Sequence, residues 1–144
     1  MLNETMTGIA RKLNETFGDN YEVYIDGVKQ GLKEPCFLLV CLAGRQEQEI
    51  GTIYNREQSF DLHYFPKAKN YTTEVNSIVD TLNMELEYIT VEGNLIRGTD
   101  MKHEVIDGVL HFFVNYDVRI RKVVEPDPFM EDLEIIEGVK DSGK

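Results

Sequence analysis

The feature that most constrains the fold is an alternation of apolar and polar residues that runs from Leu110 to Arg121. The even-numbered positions are all apolar, namely Leu110, Phe112, Val114, Tyr116, Val118 and Ile120. The odd-numbered positions carry His111, Asn115, Asp117, Arg119 and Arg121, together with Phe113. Because successive side chains of a strand point to opposite faces, this pattern predicts one long strand with a buried and a polar face.

The residues before this strand predict that it ends an antiparallel meander. Val91–Arg97 and Lys102–Ile106 have strand-like composition, and Gly98-Thr99 is a turn signal between them. Asp107-Gly108 then predicts a hairpin turn, because this dipeptide favours the positive φ angles of a type I′ turn.

Two segments have helical periodicity. From about Asn3 to Phe17, apolar residues recur at helical spacing (Met6, Ile9, Leu13 and Phe17), and Gly18 follows as a stop signal. A second set at i, i+3, i+4 and i+7 follows the cap-capable residues Asn70, Thr72 and Thr73: Val75, Ile78, Val79 and Leu82. We predict two amphipathic helices, the second ending near Leu86.

The remaining strands are predicted in the first half of the chain. Tyr21–Ile25 has strand-like composition and precedes an Asp26-Gly27 turn, and Cys36–Leu42 is a continuous apolar run that predicts a central strand covered on both faces. A polar loop near Ala43–Glu49 is then expected to lead to strands at Ile50–Tyr54 and Phe60–Phe65, which Pro66 ends.

The two cysteines raise the question of a redox or metal site. Cys36 and Cys41 are an odd number of residues apart, so they point to opposite faces of one strand and cannot form a disulfide there. Their spacing does not match a zinc knuckle. We interpret them as buried structural thiols, and a reactive or ligating role is the alternative.

Composition fits one acidic domain. The chain has 144 residues and a formal net charge of −11, which argues against a general basic surface for nucleic acid or anionic membranes. No apolar run approaches the length of a membrane span, and the first residues do not resemble a signal peptide. We expect a soluble cytoplasmic α+β protein: a mostly antiparallel sheet packed by two helices over residues 1–124, followed by an acidic C-terminal arm, residues 125–144.

The arm carries apolar residues despite its acidity. Asp127 could cap a short helix that begins at Pro128, which would place Phe129, Leu133 and Ile136 along one side. We expect this arm to dock on a neighbouring subunit or partner; a disordered acidic tail is the alternative.

No sequence motif indicates catalysis. Asp61 and His63 share one face of a strand and His111 lies on another, so a metal or acid–base cluster is conceivable, but His103 lies near a turn with no fixed relation to them. A metal site needs three or four converging ligands. We therefore predict no enzyme activity, no metal and no cofactor. A small metal-binding enzyme that uses Asp61, His63 and His111 remains the alternative.

Three cations gather at the end of the long strand in this otherwise acidic protein: Arg119, Arg121 and Lys122. They could discourage edge-to-edge association of sheets. They could also pair with an acidic neighbour in an assembly, including the arm of another copy.

Three stretches resemble the phage tail terminator family, which is found in prophages of Gram-positive bacteria. They are Tyr24 with Val28–Phe37 (VKQGLKEPCF), Phe60–Pro66 (FDLHYFP) and Asp107–Tyr116 (DGVLHFFVNY). The resemblance spans about residues 1–122. It implies a structural protein that forms a ring, usually a hexamer, on the last ring of the tail tube and stops its polymerisation.

The partners that the resemblance implies are further copies of the chain, the tail tube protein, and the sheath or head connector. The protein would then reside in the bacterial cytoplasm during assembly and later in a virion tail or a headless phage-tail-like bacteriocin. DNA would only pass through the lumen, and an acidic wall would repel its phosphates. A connector-completion protein, which is another ring-forming tail component, is the alternative within this class.

Overall fold

The computed structural model describes residues 1–25, 31–124 and 131–137. Within them lie two helices and seven strands. Their order is α1 (Leu2–Phe17), β1 (Glu22–Tyr24), β2 (Cys36–Ile50), β3 (Ile53–Phe65), α2 (Thr72–Glu85), β4 (Tyr88–Val91), β5 (Asn94–Ile106), β6 (Val109–Val124) and β7 (Glu131–Glu137). The protein therefore has the predicted α+β architecture.

All seven strands belong to one curled sheet. The order along it is β1-β2-β3-β6-β5-β4. The seventh strand, β7, pairs with the C-terminal half of β6, along the same edge whose N-terminal half pairs with β5. Every pairing is antiparallel except that of β1 with β2. The long strand predicted from the alternation, β6, thus lies at the centre of the sheet.

The even-numbered face of β6 is the core face, as predicted. All six of its apolar side chains are at most 1% exposed, from Leu110 to Ile120. The four apolar residues of the predicted α2 stripe are also buried, as are Ile9 and Leu13 of α1. The two helices therefore contribute to the same core as the inner face of the sheet, and the outer face carries the odd-numbered residues of β6.

The start of α2 is fixed by Glu74. Its carboxylate accepts hydrogen bonds from the hydroxyl of Tyr64 at 2.5 Å and from the backbone N–H groups of Lys67 and Ala68 at 3.0 and 3.1 Å. Burial alone would raise the pKa of Glu74, but these hydrogen bonds outweigh it and lower the pKa below its ordinary value. Burial and the bond to Glu74 together raise the pKa of the Tyr64 hydroxyl.

The predicted loop at Ala43–Glu49 is wrong. These residues continue β2, which forms a long hairpin with β3 and turns at Gly51-Thr52, inside the strand that was predicted at Ile50–Tyr54. Most of β2 beyond Cys41 is exposed, so it has the polar composition of a loop while keeping the backbone of a strand.

The expectation that β2 is covered on both faces holds only at its start. Cys36 and Phe37 are both fully buried, whereas Leu42 is 53% exposed. Burial, with Glu34 and Glu22 nearby, raises the pKa of the Cys36 thiol to about 11. Cys41 is half-buried on the other face, and both cysteines are free thiols.

The turns of the meander are partly displaced from their predicted positions. Val91–Arg97 contains the turn between β4 and β5, at Glu92 and Gly93, which have φ angles of 49° and 80°. The Gly98-Thr99 pair lies inside β5, next to a β-bulge. The Asp107-Gly108 turn is confirmed, with φ angles of 50° and 78°.

Glycine is required where α1 crosses β4. A Cβ atom added at Gly8 would lie 2.7 Å from the carbonyl oxygen of Thr90, closer than real Cβ contacts come. The absence of a side chain at Gly8 thus allows the helix to approach the strand.

The predicted helix in the arm is wrong over the residues that the structure describes there. Glu131–Glu137 form a strand that pairs with β6, with Leu133 in register with Lys122 and Ile135 with Ile120. Leu133 and Ile135 pack against the core. Asp127, Pro128 and Phe129 lie outside the described residues.

Candidate assembly surface and the aspartate–histidine cluster

The end of β6 lies beside the tip of the β2–β3 hairpin. The Nε atom of Arg119 donates to Oε1 of Glu49 at 3.0 Å, which joins two residues 70 positions apart. The backbone N–H of Lys122 donates to the carbonyl oxygen of Thr52 at 2.8 Å, and its ammonium lies 5.6 Å from the ring centre of Tyr54. Two of the three predicted interface cations therefore already contact their own chain.

Arg121 differs from its two neighbours because its side chain is exposed. It lies in register with Ile53 of β3 and with Glu134 of β7. An acidic residue of the arm thus lies across from a cation of β6 within one chain. The sequence hypothesis placed such an acidic arm on a neighbouring copy.

Two of the three apolar residues predicted to line the arm helix, Leu133 and Ile136, lie among the described residues and belong to the strand β7. Leu133 and Ile136 are both half-buried, and Leu133 packs against the core of its own chain. Ile135, which the helical spacing passed over, packs there too. The alternation of Leu133, Glu134 and Ile135 at period two is the signal that could have revealed it.

The hairpin of β2 and β3 carries a dense set of charges. The guanidinium of Arg45 forms ion pairs with the carboxylates of Glu47, at 2.9 Å, and Glu57, at 3.9 Å. The guanidinium of Arg56 donates two hydrogen bonds to the side-chain oxygen of Gln46. β1 pairs with β2 only along Cys36–Leu38, so in the described parts of the chain the rest of β2 has a strand on one side alone.

Asp61, His63 and His111 form a compact cluster on the outer face of the sheet. Nε2 of His63 lies 2.9 Å and Nδ1 of His111 lies 3.0 Å from the same carboxylate oxygen, Oδ2 of Asp61. The two imidazole rings are 4.2 Å apart between centroids and tilted by 55°. The three candidate ligand atoms all lie within 4.8 Å of one another.

The sheet register explains why these side chains meet. His63 of β3 lies directly opposite His111 of β6. Asp61 is two residues before His63 on β3, so its side chain points to the same face. Asp61 is only 6% exposed, and its second carboxylate oxygen, Oδ1, is buried without a hydrogen-bond partner in the structure.

The expectation that no ligand set converges is therefore wrong, because Asp61 joins both histidines. His103 does not contribute: it lies on β5 in register with Phe112 and is exposed. Sequence reasoning could not pair β3 with β6, and without that pairing the odd-numbered polar positions of the two strands had no relation to one another.

Fold and surface define a class of protein: a small acidic α+β domain built around a curled sheet, with a long charged hairpin formed by β2 and β3. The chain belongs to the phage tail terminator family, because the family described as "Phage tail terminator protein" matches residues 4–128. The comparison with curated proteins gave no match. No helix in the described segments is long and apolar enough to cross a membrane.

Membership in this family makes the protein a structural component of a phage tail, with other tail components as its partners. The family match covers β1 to β6 with both helices and ends before β7.

Proposed function

We propose that the protein forms a closed ring, hexameric as the resemblance implies, on the end of the tail tube. There it stops tube polymerisation and joins the tube to the head connector or to the end of the sheath. The observation that carries this proposal is the family match over residues 4–128, which spans strands β1 to β6.

Ring closure requires two different, complementary surfaces on each subunit. The end of β6 with the exposed Arg121 and the adjoining hairpin tip together form a candidate for one of them. Ile50 at that tip is 77% exposed although it is a large apolar residue, which suits contact with a neighbouring subunit.

The proposed lumen role rests on charge. The chain has 26 acidic and 15 basic residues, so a ring of identical copies carries a strong negative charge. A wall of this sign lowers the affinity for DNA phosphates and lets the genome pass. The setting would be a bacterial cytoplasm during assembly, then a virion or a headless bacteriocin particle, in a contractile or flexible tail.

The direct test combines the full chain with the tail tube protein of the same tail. Tube lengths are measured by negative-stain electron microscopy with and without the protein, and its oligomer is measured by native mass spectrometry. We expect shorter tubes, a ring at one end, and a closed oligomer.

An Arg121→Glu variant tests the β6 surface, and Arg11→Glu serves as its control because Arg11 is an exposed cation of α1. Loss of the ring in the first variant alone supports the surface assignment. Rings that form but never bind tubes would favour a connector-completion protein. A protein that stays monomeric and leaves tube length unchanged would refute the proposal.

A further inference from the structure

We propose that Asp61, His63 and His111 bind one Zn²⁺ ion on the outer face of the sheet. The inference concerns the folded subunit and does not depend on ring formation, so it can be tested on the isolated chain. It assigns a chemical role to the most concentrated group of potential metal ligands in the described segments.

The positions of the ligand atoms suit tetrahedral zinc. Zn–N and Zn–O distances of about 2.0–2.1 Å place neighbouring ligand atoms roughly 3.3–3.4 Å apart. The two nitrogens lie 2.9 and 3.0 Å from Oδ2 of Asp61, and all three atoms lie within 4.8 Å of one another. Small side-chain rotations are enough to open the cluster around an ion.

The second observation is a buried carboxylate oxygen of Asp61 that has no hydrogen-bond partner. Oδ1 of Asp61 is buried and has no hydrogen-bond partner in the structure, while both histidines approach Oδ2. A buried polar atom without a partner is costly, and buried carboxylates are normally paired or bound to a metal. A cation held between the three side chains would compensate this charge.

The ligand types select the metal. Two imidazole nitrogens and one carboxylate oxygen suit Zn²⁺, whereas Ca²⁺ and Mg²⁺ prefer sites built from oxygen alone. His63 would bind through Nε2 and His111 through Nδ1, so each ring would carry its proton on the other nitrogen. Zn²⁺ would then replace the hydrogen bonds that the rings make to Asp61.

The site is open enough for an ion to enter. The side chains of His63 and His111 are 21% and 18% exposed, and the rings of Phe65 and Phe113 lie 6.4 Å from them. Three protein ligands would leave one position of a tetrahedral ion free, which water could fill in the isolated subunit.

The test uses the full chain, stripped with a chelator and then titrated with Zn²⁺ in a calorimeter. Visible absorption after loading with Co²⁺ reports the coordination geometry independently. We expect one Zn²⁺ per chain, a tetrahedral Co²⁺ spectrum that Zn²⁺ abolishes, and a higher melting temperature with the ion.

Two variants remove one ligand each, His63→Gln and His111→Gln, and His103→Gln is the matched control. We expect the first two to weaken Zn²⁺ binding at least about tenfold and to lose the Co²⁺ spectrum, with His103→Gln unchanged. Melting curves without metal show that each variant is folded. Failure of the wild-type chain to bind Zn²⁺, or equal binding by all four proteins, would overturn the proposal and leave the cluster as a hydrogen-bonded network.

Discussion

The hydroxyl of Tyr116 donates a hydrogen bond to the carbonyl oxygen of Leu86 at 2.6 Å, which ties the central strand β6 to the residue that follows α2. Both residues are fully buried. Burial raises the pKa of the Tyr116 hydroxyl, which favours its protonated, hydrogen-bond-donating form. One buried bond therefore connects the helix end to the sheet.

Removing this donor should destabilise the protein without emptying the core. We expect Tyr116→Phe to lower the free energy of unfolding by about 1–3 kcal/mol, because the Leu86 carbonyl is left buried without this donor. Urea denaturation followed by circular dichroism measures the change. An unchanged midpoint would mean that another donor reaches this carbonyl.

Two neighbouring phenylalanines, one on each face of β6, allow the burial of the two faces to be compared by mutation. Phe112 is fully buried on the core face, and Phe113 is half-buried on the outer face. We expect Phe112→Ala to cost about 3–5 kcal/mol and Phe113→Ala clearly less. Thermal and urea unfolding of both variants check this, and equal costs would show that the outer face is covered as well as the inner one.

The arm should contribute to the stability of its own chain. Leu133 and Ile135 pack against the core, so ending the chain after Val124 removes that contact and uncovers one edge of β6. We expect the truncated chain to fold with a lower melting temperature, and Ile135→Ala to reproduce part of the loss, while the exposed Glu134→Ala has little effect. A truncated chain that melts like the full one would return the arm to the role first expected from the sequence, docking on a partner.

The Glu74 contacts predict a pH dependence with a definite sign. The folded-state pKa of Glu74 is below its ordinary value of 4.5, so its ionised form stabilises the fold above that pH. This contribution disappears as the pH falls through the folded-state pKa. We expect Glu74→Gln to cost about 1 kcal/mol at neutral pH and progressively less below about pH 4.5.

Unfolding curves at several pH values check this prediction. Asp80→Asn is the control, because Asp80 is an exposed acid on the same helix. A difference between wild type and Glu74→Gln that stays constant down to pH 3 would show that shape, and not charge, explains the effect.

Elements with one buried and one exposed face were predictable from the sequence. The alternation in β6 and the stripe of α2 both reported which side chains meet the core, and each side chain so assigned is buried. The β2–β3 hairpin was not predictable in this way. Beyond Cys41 most of β2 is exposed, so no apolar period marks it as a strand.

The aspartate–histidine cluster depends on a pairing that local sequence does not encode. His63 and His111 are 48 positions apart, and only the register of β3 against β6 brings them face to face. The arm misled prediction for a different reason. Leu133 and Ile136 fit a helical spacing, while Leu133 and Ile135 fit a strand, and the available edge of β6 decided between them.

Among the described residues, β2 beyond Leu38 pairs on one side only, and this bears on how copies of the chain behave before they meet a tail. A strand with an open edge can recruit the edge of another molecule and begin an aggregate. Here that stretch holds Arg45, Glu47 and Glu49, alternating with polar residues, and a second copy would have to strip water from these charges to add its own strand. Charges on this stretch therefore disfavour edge-to-edge stacking of free subunits into fibres.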